Sequence, residues 1–151
     1  MKRIITILFV ILALPEAFAQ SSEVFTSDEG AIRGYDPVAY FREGKPLKGK
    51  KEFSTLWNGA QWSFSSKQNL ETFKSNPEKY APQYGGYCAF GTSEGHKAPT
   101  QADAFTIVND KLYLNYNKDV RTEWTKNQKE HIQKADKIGQ PLRNNRPLRR
   151  I

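Results

Sequence analysis

Sulfur and imidazole are the scarcest chemistry in this chain: one cysteine, one methionine and two histidines in 151 residues. A lone cysteine, Cys88, excludes an internal disulfide and the paired thiols of zinc ribbons and CxxC redox motifs. With only His96 and His131, no HxxxH or HExxH spacing exists. GxSxG, P-loop and GxGxxG signatures are also missing, so nothing marks a nucleophile elbow, a phosphate cradle or a dinucleotide fold. No catalytic residue is assigned, and the balance of these absences is against an enzyme.

Long apolar runs are missing too, except at the start. Lys2 and Arg3 precede Ile4 to Leu14, apolar throughout except for Thr6. That run is shorter than the roughly 20 apolar residues a membrane-spanning helix takes. Ala17-Phe18-Ala19 follows, the small-x-small pattern cut by a signal peptidase. Residues 1–19 are therefore expected to be an export signal, with the mature protein periplasmic or secreted. No cysteine follows the cut, which argues against a bacterial lipoprotein anchor, and no later segment is apolar enough to span a membrane. Outside the cytoplasm a solitary thiol has no reducing pool around it. Cys88 must then be buried, bound or used.

The formal charge is +7. Much of the excess sits in the tail, where Arg143, Arg146, Arg149 and Arg150 crowd together. The expected organisation is a polar leader at 20–33, one domain at 34–139 and a basic, solvated tail at 140–151. A basic surface favours anionic partners, but nucleic acid is not expected.

Two hairpins are written in the sequence. Phe53, Thr55 and Trp57 alternate with polar residues, Asn58-Gly59 supplies a tight turn, and Trp62 and Phe64 alternate on the return. Phe105 and Ile107 lead to Asn109-Asp110 and back through Leu112, Leu114 and Tyr116. A helix should follow each. Ser65 is the expected cap of the first, with Gln68 as capping-box partner and Leu70 and Phe73 on one face. Asn76-Pro77 should end or interrupt it. Asn117 should cap the second, which carries Val120, Trp124, Ile132 and Ala135 and stops at Gly139 and Pro141. The expected fold class is α+β: a small antiparallel sheet built from two hairpins, each followed by a helix, with a glycine- and aromatic-rich loop between.

That loop holds the candidate chemistry. Tyr80, Tyr84, Tyr87 and Phe90 crowd a stretch also containing Gly85, Gly86, Gly91 and Gly95. Cys88 lies in its middle and His96 eight residues later. Thiolate plus imidazole is a soft donor pair suited to copper or zinc. Cys88 and His96 are therefore the candidate metal ligands, and Tyr84, Tyr87 and Phe90 candidate pocket walls. His131 reads as a core-edge residue of the last helix. Asp36, before Pro37, reads first as the cap of a short helix and second as a ligand or pocket residue.

GYDPVAYF, NGAQWSFSSKQNLETFKSNPEKYAPQYGGYCAFG and AFTIVNDKLYLNYNKDV, in that order, resemble the YHS domain family in an exported single-domain form. The resemblance runs from about Gly34 to Ala135. It implies a compact α+β module related to short versions that accompany metal transporters and bind metal through cysteines. Those versions carry cysteine directly after the Asp-Pro-Val start and again after the strand leading into the helix. Here Ala39 and Ser65-Ser66 stand at those positions, so the implied thiol site does not carry over and any site must be built around Cys88. The first functional expectation is an exported module that binds or handles copper or zinc at Cys88, with metal-transport or redox proteins as partners. The alternative is a non-catalytic interaction or small-ligand-binding domain with a buried structural Cys88.

Overall fold

A computed structural model gives the fold of residues 23–144, with side chains through residue 138. The expected export signal at 1–19 and the end of the expected tail, 145–151, lie outside the described residues. No helix among the described residues is long and apolar enough to cross a membrane.

Both hairpins form where the alternation places them. The first pairs β3 (Lys50–Trp57) with β4 (Ala60–Phe64), and the second pairs β5 (Phe105–Val108) with β6 (Lys111–Leu114), each antiparallel. Their turns have positive φ at both central residues: 49° and 72° at Asn58 and Gly59, 50° and 57° at Asn109 and Asp110. That geometry matches the twist of the flanking strands, and Asn, Asp and Gly tolerate it best. The expected sheet is divided, however. The two hairpins are separate two-stranded ribbons, joined by a third, β1 (Thr26–Ser27) with β2 (Gly30–Ala31), in the stretch read as a polar leader.

Short helices connect the ribbons: α1 (Ala39–Arg42), α2 (Lys67–Ser75), α3 (Pro77–Tyr80) and α4 (Ala89–Ser93). Asn76 accepts from Lys79 N at 3.3 Å, so the Asn-Pro pair closes α2 and starts α3. The cap of α2 is Ser66, which accepts from Asn69 N at 3.1 Å, not the expected Ser65. The Ser65 hydroxyl is turned instead to a distant partner, the Asp36 carboxylate. After the second hairpin Asn117 caps α5 (Lys118–Lys126), accepting from Val120 N at 2.8 Å. The single helix expected here breaks at Asn127, and α6 (Gln128–Asn144) continues the backbone past the expected stops at Gly139 and Pro141.

Two aromatic clusters hold these pieces together. Trp62 and Phe64 of β4 and Phe73 of α2 are fully buried, with Phe73 5.4 Å from Trp62 and 5.0 Å from Phe64 between ring centres. A period of two on the strand and the Leu70–Phe73 stripe on the helix bring these faces together. Aromatic pairs at this spacing add about 0.5–1.5 kcal/mol each beyond area burial. The second cluster joins Ala89 of α4, Tyr113 of β6 and Trp124 of α5, with Phe90 and Ile132 packed on it.

Candidate functional site

The glycine-rich stretch folds into the body of the protein. Tyr84, Gly85 and Gly86 take φ of 57°, 66° and 84°, three consecutive left-handed residues. Gly85 O accepts from Phe25 N at 2.9 Å, and a Cβ at Gly85 would collide with the Glu23 carbonyl. Glycine is required there on both counts. Gly86 O accepts from the buried Thr100 hydroxyl at 2.8 Å.

Cys88 begins the α4 turn and is 2% exposed. Its Sγ accepts from Gly91 N at 3.4 Å and donates to Asn115 Oδ1 at 3.5 Å. Its backbone N–H donates to Ala98 O at 3.0 Å, which draws the 94–99 loop over it. His96 is exposed in that loop. Its ring lies against Gly91, where a Cβ would come within 3.1 Å of Nε2. Cys88 and His96 thus border the same glycine from different sides. Among the described residues no group of three or more His, Cys, Asp or Glu could hold a metal ion. The donors gathered around Cys88 do not by themselves fit one.

The candidate wall residues are occupied within the fold. Tyr84 donates its hydroxyl to Asp136 at 3.1 Å and Tyr87 packs on Phe25 with ring centres 5.8 Å apart. Phe90 lies 4.8 Å from the His131 ring, whose Nδ1 is 2.9 Å from Ser93 Oγ. His131 thus joins α6 to α4. Burial, then the Asp136 charge and hydrogen bond, push the Tyr84 hydroxyl far above the usual tyrosine range. Burial followed by the same charge raises Tyr113. Tyr40, whose hydroxyl donates to Ala102 O at 3.0 Å, is raised mainly by burial, then by Tyr35, Asp103 and Asp36.

Asp36 is fully buried and takes five donors. Oδ1 accepts from Val38 N at 2.8 Å and Ala39 N at 3.2 Å, closing the start of α1. Oδ2 accepts from Ser65 N at 2.8 Å, Ser65 Oγ at 2.7 Å and Asn69 Nδ2 at 2.7 Å. Asn69 Oδ1 in turn accepts from Arg42 Nη1 at 3.2 Å, which relays positive charge toward the carboxylate. Asp36 therefore pins α1 to the end of β4 and the start of α2. This explains why Ser65 leaves the capping of α2 to Ser66.

Sequence reasoning did not single out a cleft of about 520 Å³ lined by Arg33, Tyr35, Pro46, Gln101, Ala102 and Asp103. Arg33, which lines it, follows the buried Ile32 in a bend with φ of 43° and 60°. A β-branched residue there is strained, at about 1–3 kcal/mol. The bend lets Arg33 Nε donate to Thr100 O at 2.8 Å and places its guanidinium 5.4 Å from the Phe25 ring centre. Lys48 Nζ stands 4.5 Å from the Tyr35 ring centre and pairs with Glu29 at 2.7 Å, while Asp103 pairs with Lys118 at 3.0 Å. Arg33 is thus the cation among the cleft's lining residues, and the lining carboxylate, Asp103, is already paired.

The second residue missed was Asn115. It is fully buried, and its Oδ1 accepts from Phe90 N at 3.1 Å as well as from the thiol. Its Nδ2 and the Trp124 indole N–H are buried without an acceptor among the described residues.

The YHS domain family model matches residues 38–84. That span contains α1, the first hairpin, α2 and α3, and stops short of Cys88 and His96. No curated protein and no solved structure matches the chain.

Proposed function

We propose that this chain, whose residues 38–84 match the YHS domain family model, is a small non-catalytic binding module working outside the cytoplasm. Its external address rests on the leader-like residues 1–19. Its ligand is a small anionic molecule taken in the cleft beside Arg33. The observation that carries this reading is the strained Ile32–Arg33 bend, which leaves Arg33 lining a cleft of about 520 Å³. Ligand sites commonly have volumes of about 300–1,000 Å³, and an arginine fork suits carboxylate and phosphate oxygens.

Metal handling at Cys88 is the second reading. The YHS family is associated with metal handling in general, and Cys88 and His96 border the same Gly91. Two protein donors would need a partner chain or small molecule to complete the shell.

One set of titrations separates the two. Inorganic phosphate and acetate are added to the folded protein and to Arg33→Ala, with backbone NMR shifts followed at Tyr35, Gln101 and Ala102. Cu(I) and Zn(II) are added in parallel to the folded protein and to Cys88→Ala. Anion-dependent shifts lost in Arg33→Ala support the cleft, and their absence in the parent protein sinks it. Metal binding lost in Cys88→Ala would move the function to the thiol.

A further inference from the structure

We propose that the anionic group taken beside Arg33 is the carboxylate of a free amino acid, whose ammonium group is met by Asp103 in the same cleft. This rests on the cleft reading above and names the class of its ligand. Arg33 and Asp103 line one cavity with opposite charges, together with Tyr35, Pro46, Gln101 and Ala102. A simple anion would be attracted by Arg33 and repelled by Asp103. A zwitterion sets a group of matching sign against each.

The two charges stand on separately braced segments. Residues 101–104 form a turn in which Ala104 N donates to Gln101 O at 3.2 Å. Both ends of the turn are tied to the Asn115 backbone, which accepts from Gln101 N at 3.1 Å and donates to Ala104 O at 2.9 Å. The Ala102 carbonyl between them accepts from the hydroxyl of the buried Tyr40 at 3.0 Å. Asp103 is therefore carried on a fixed turn. On the other segment, Arg33 Nε donates to Thr100 O at 2.8 Å, and Lys48 Nζ donates to the Arg33 carbonyl at 2.7 Å. Both contacts limit the freedom of Arg33, and a guanidinium held in advance loses less on taking a carboxylate.

Recognition of the ammonium falls to Asp103. The lining aromatic ring, Tyr35, is already engaged by Lys48, whose Nζ stands 4.5 Å from its centre. Asp103 is paired with Lys118 through Oδ2, but the two side chains are 50% and 66% exposed. Exposed ion pairs of this kind are weak. A ligand ammonium can share the Asp103 carboxylate with Lys118 or displace it.

The test titrates the folded full chain with glycine, N-acetylglycine and glycinamide at matched ionic strength, following the backbone NMR shifts of Tyr35, Gln101 and Ala102. N-acetylglycine lacks the ammonium and glycinamide lacks the carboxylate. Glycine is expected to bind about tenfold more tightly than either. Asp103→Asn should remove that advantage and leave N-acetylglycine bound at least as well as before. Lys118→Met takes the competing cation away from Asp103 at the exposed start of α5. It should tighten glycine and weaken N-acetylglycine. The proposal is overturned, with the Arg33 anion site left standing, if N-acetylglycine binds the parent protein as tightly as glycine. A glycine advantage that survives in Asp103→Asn overturns it as well. No shift with any of the three ligands overturns it alone if acetate or phosphate still shifts these residues, and overturns both readings if neither does.

Discussion

Asp36→Asn changes a carboxylate to an amide of nearly the same shape, so its effect isolates hydrogen-bond polarity at one buried point. The new NH₂ must replace one of the two carboxylate oxygens. On the Oδ1 side it would face the backbone donors Val38 N and Ala39 N, which cannot reverse. It therefore takes the Oδ2 side, where the Ser65 hydroxyl can turn and accept. Ser65 N–H cannot turn and loses its acceptor, while Asn69 Nδ2, held by Arg42 Nη1 on its own Oδ1, keeps only its longer bond to Ser65 Oγ at 3.3 Å. One unsatisfied buried donor at about 1–3 kcal/mol and one weakened bond at about 1 kcal/mol predict a loss of about 2–4 kcal/mol. That is a large part of a stability that is typically about 5–15 kcal/mol. Urea unfolding followed by circular dichroism measures it, with Tm expected to fall on the order of 10–20 °C. Arg42→Ala is the control. It removes only the half-exposed end of the relay and should cost about 1 kcal/mol or less. A loss below about 1 kcal/mol for Asp36→Asn would refute the claim that this carboxylate pins α1 to the hairpin.

Gly85→Ala adds a Cβ where the Glu23 carbonyl lies, at a φ of 66°, and should cost more than about 3 kcal/mol. Unchanged thermal unfolding would contradict that packing. Cys88→Ala removes a buried sulfur and the acceptor for Gly91 N, for an expected loss of about 1–2 kcal/mol in urea. A bulky maleimide should label native Cys88 far more slowly than the denatured chain, and labelling at equal rates would contradict its burial. Tyr40, Tyr84 and Tyr113 have folded pKa values raised by burial. Their neutral forms stabilise the fold fully below the unfolded tyrosine pKa of about 10, and that stability is lost as pH rises above it. Alkaline titration by ultraviolet absorbance should show these three ionising together with unfolding, and ionisation in the still-folded protein would refute the assignment.

The hairpins were legible because two local signals agreed: alternation along the strands and turn residues that accept positive φ. The Asn76-Pro77 break and the Asn117 cap were legible for the same reason, since each depends on neighbours a few residues away. The choice of Ser66 over Ser65 was not, because a carboxylate 29 residues earlier takes the Ser65 hydroxyl. The left-handed Ile32–Arg33 bend was also hidden, since neither residue favours that conformation and only the surrounding packing imposes it. Asn69 left a usable trace: it lies four residues before Phe73, on the stripe that α2 buries. A polar residue on an apolar stripe calls for a buried partner. Asn115 left less, because an asparagine after a strand reads as a turn residue. Its burial depends on loop 101–104, whose Gln101 and Ala104 bond its backbone.

The corner at Asp36 also bears on where metal chemistry could reside. The sequence resemblance implies, for thiol-bearing versions, cysteines at the positions of Ala39 and Ser65-Ser66. Here Ala39 N lies 3.2 Å from one oxygen of Asp36 and Ser65 Oγ 2.7 Å from the other. The two positions, 26 residues apart in sequence, therefore meet on a single carboxylate. In this chain hydroxyl and amide donors close the corner, and all five of its donors come from the protein. A metal entering there would have to displace bonds that also hold α1, β4 and α2 together. The remaining thiol lies beyond the matched span, in a turn whose own neighbours are a backbone N–H and an asparagine amide. Those neighbours supply hydrogen bonds in place of further metal donors. They favour a thiol that packs within the fold over one that carries a metal unaided.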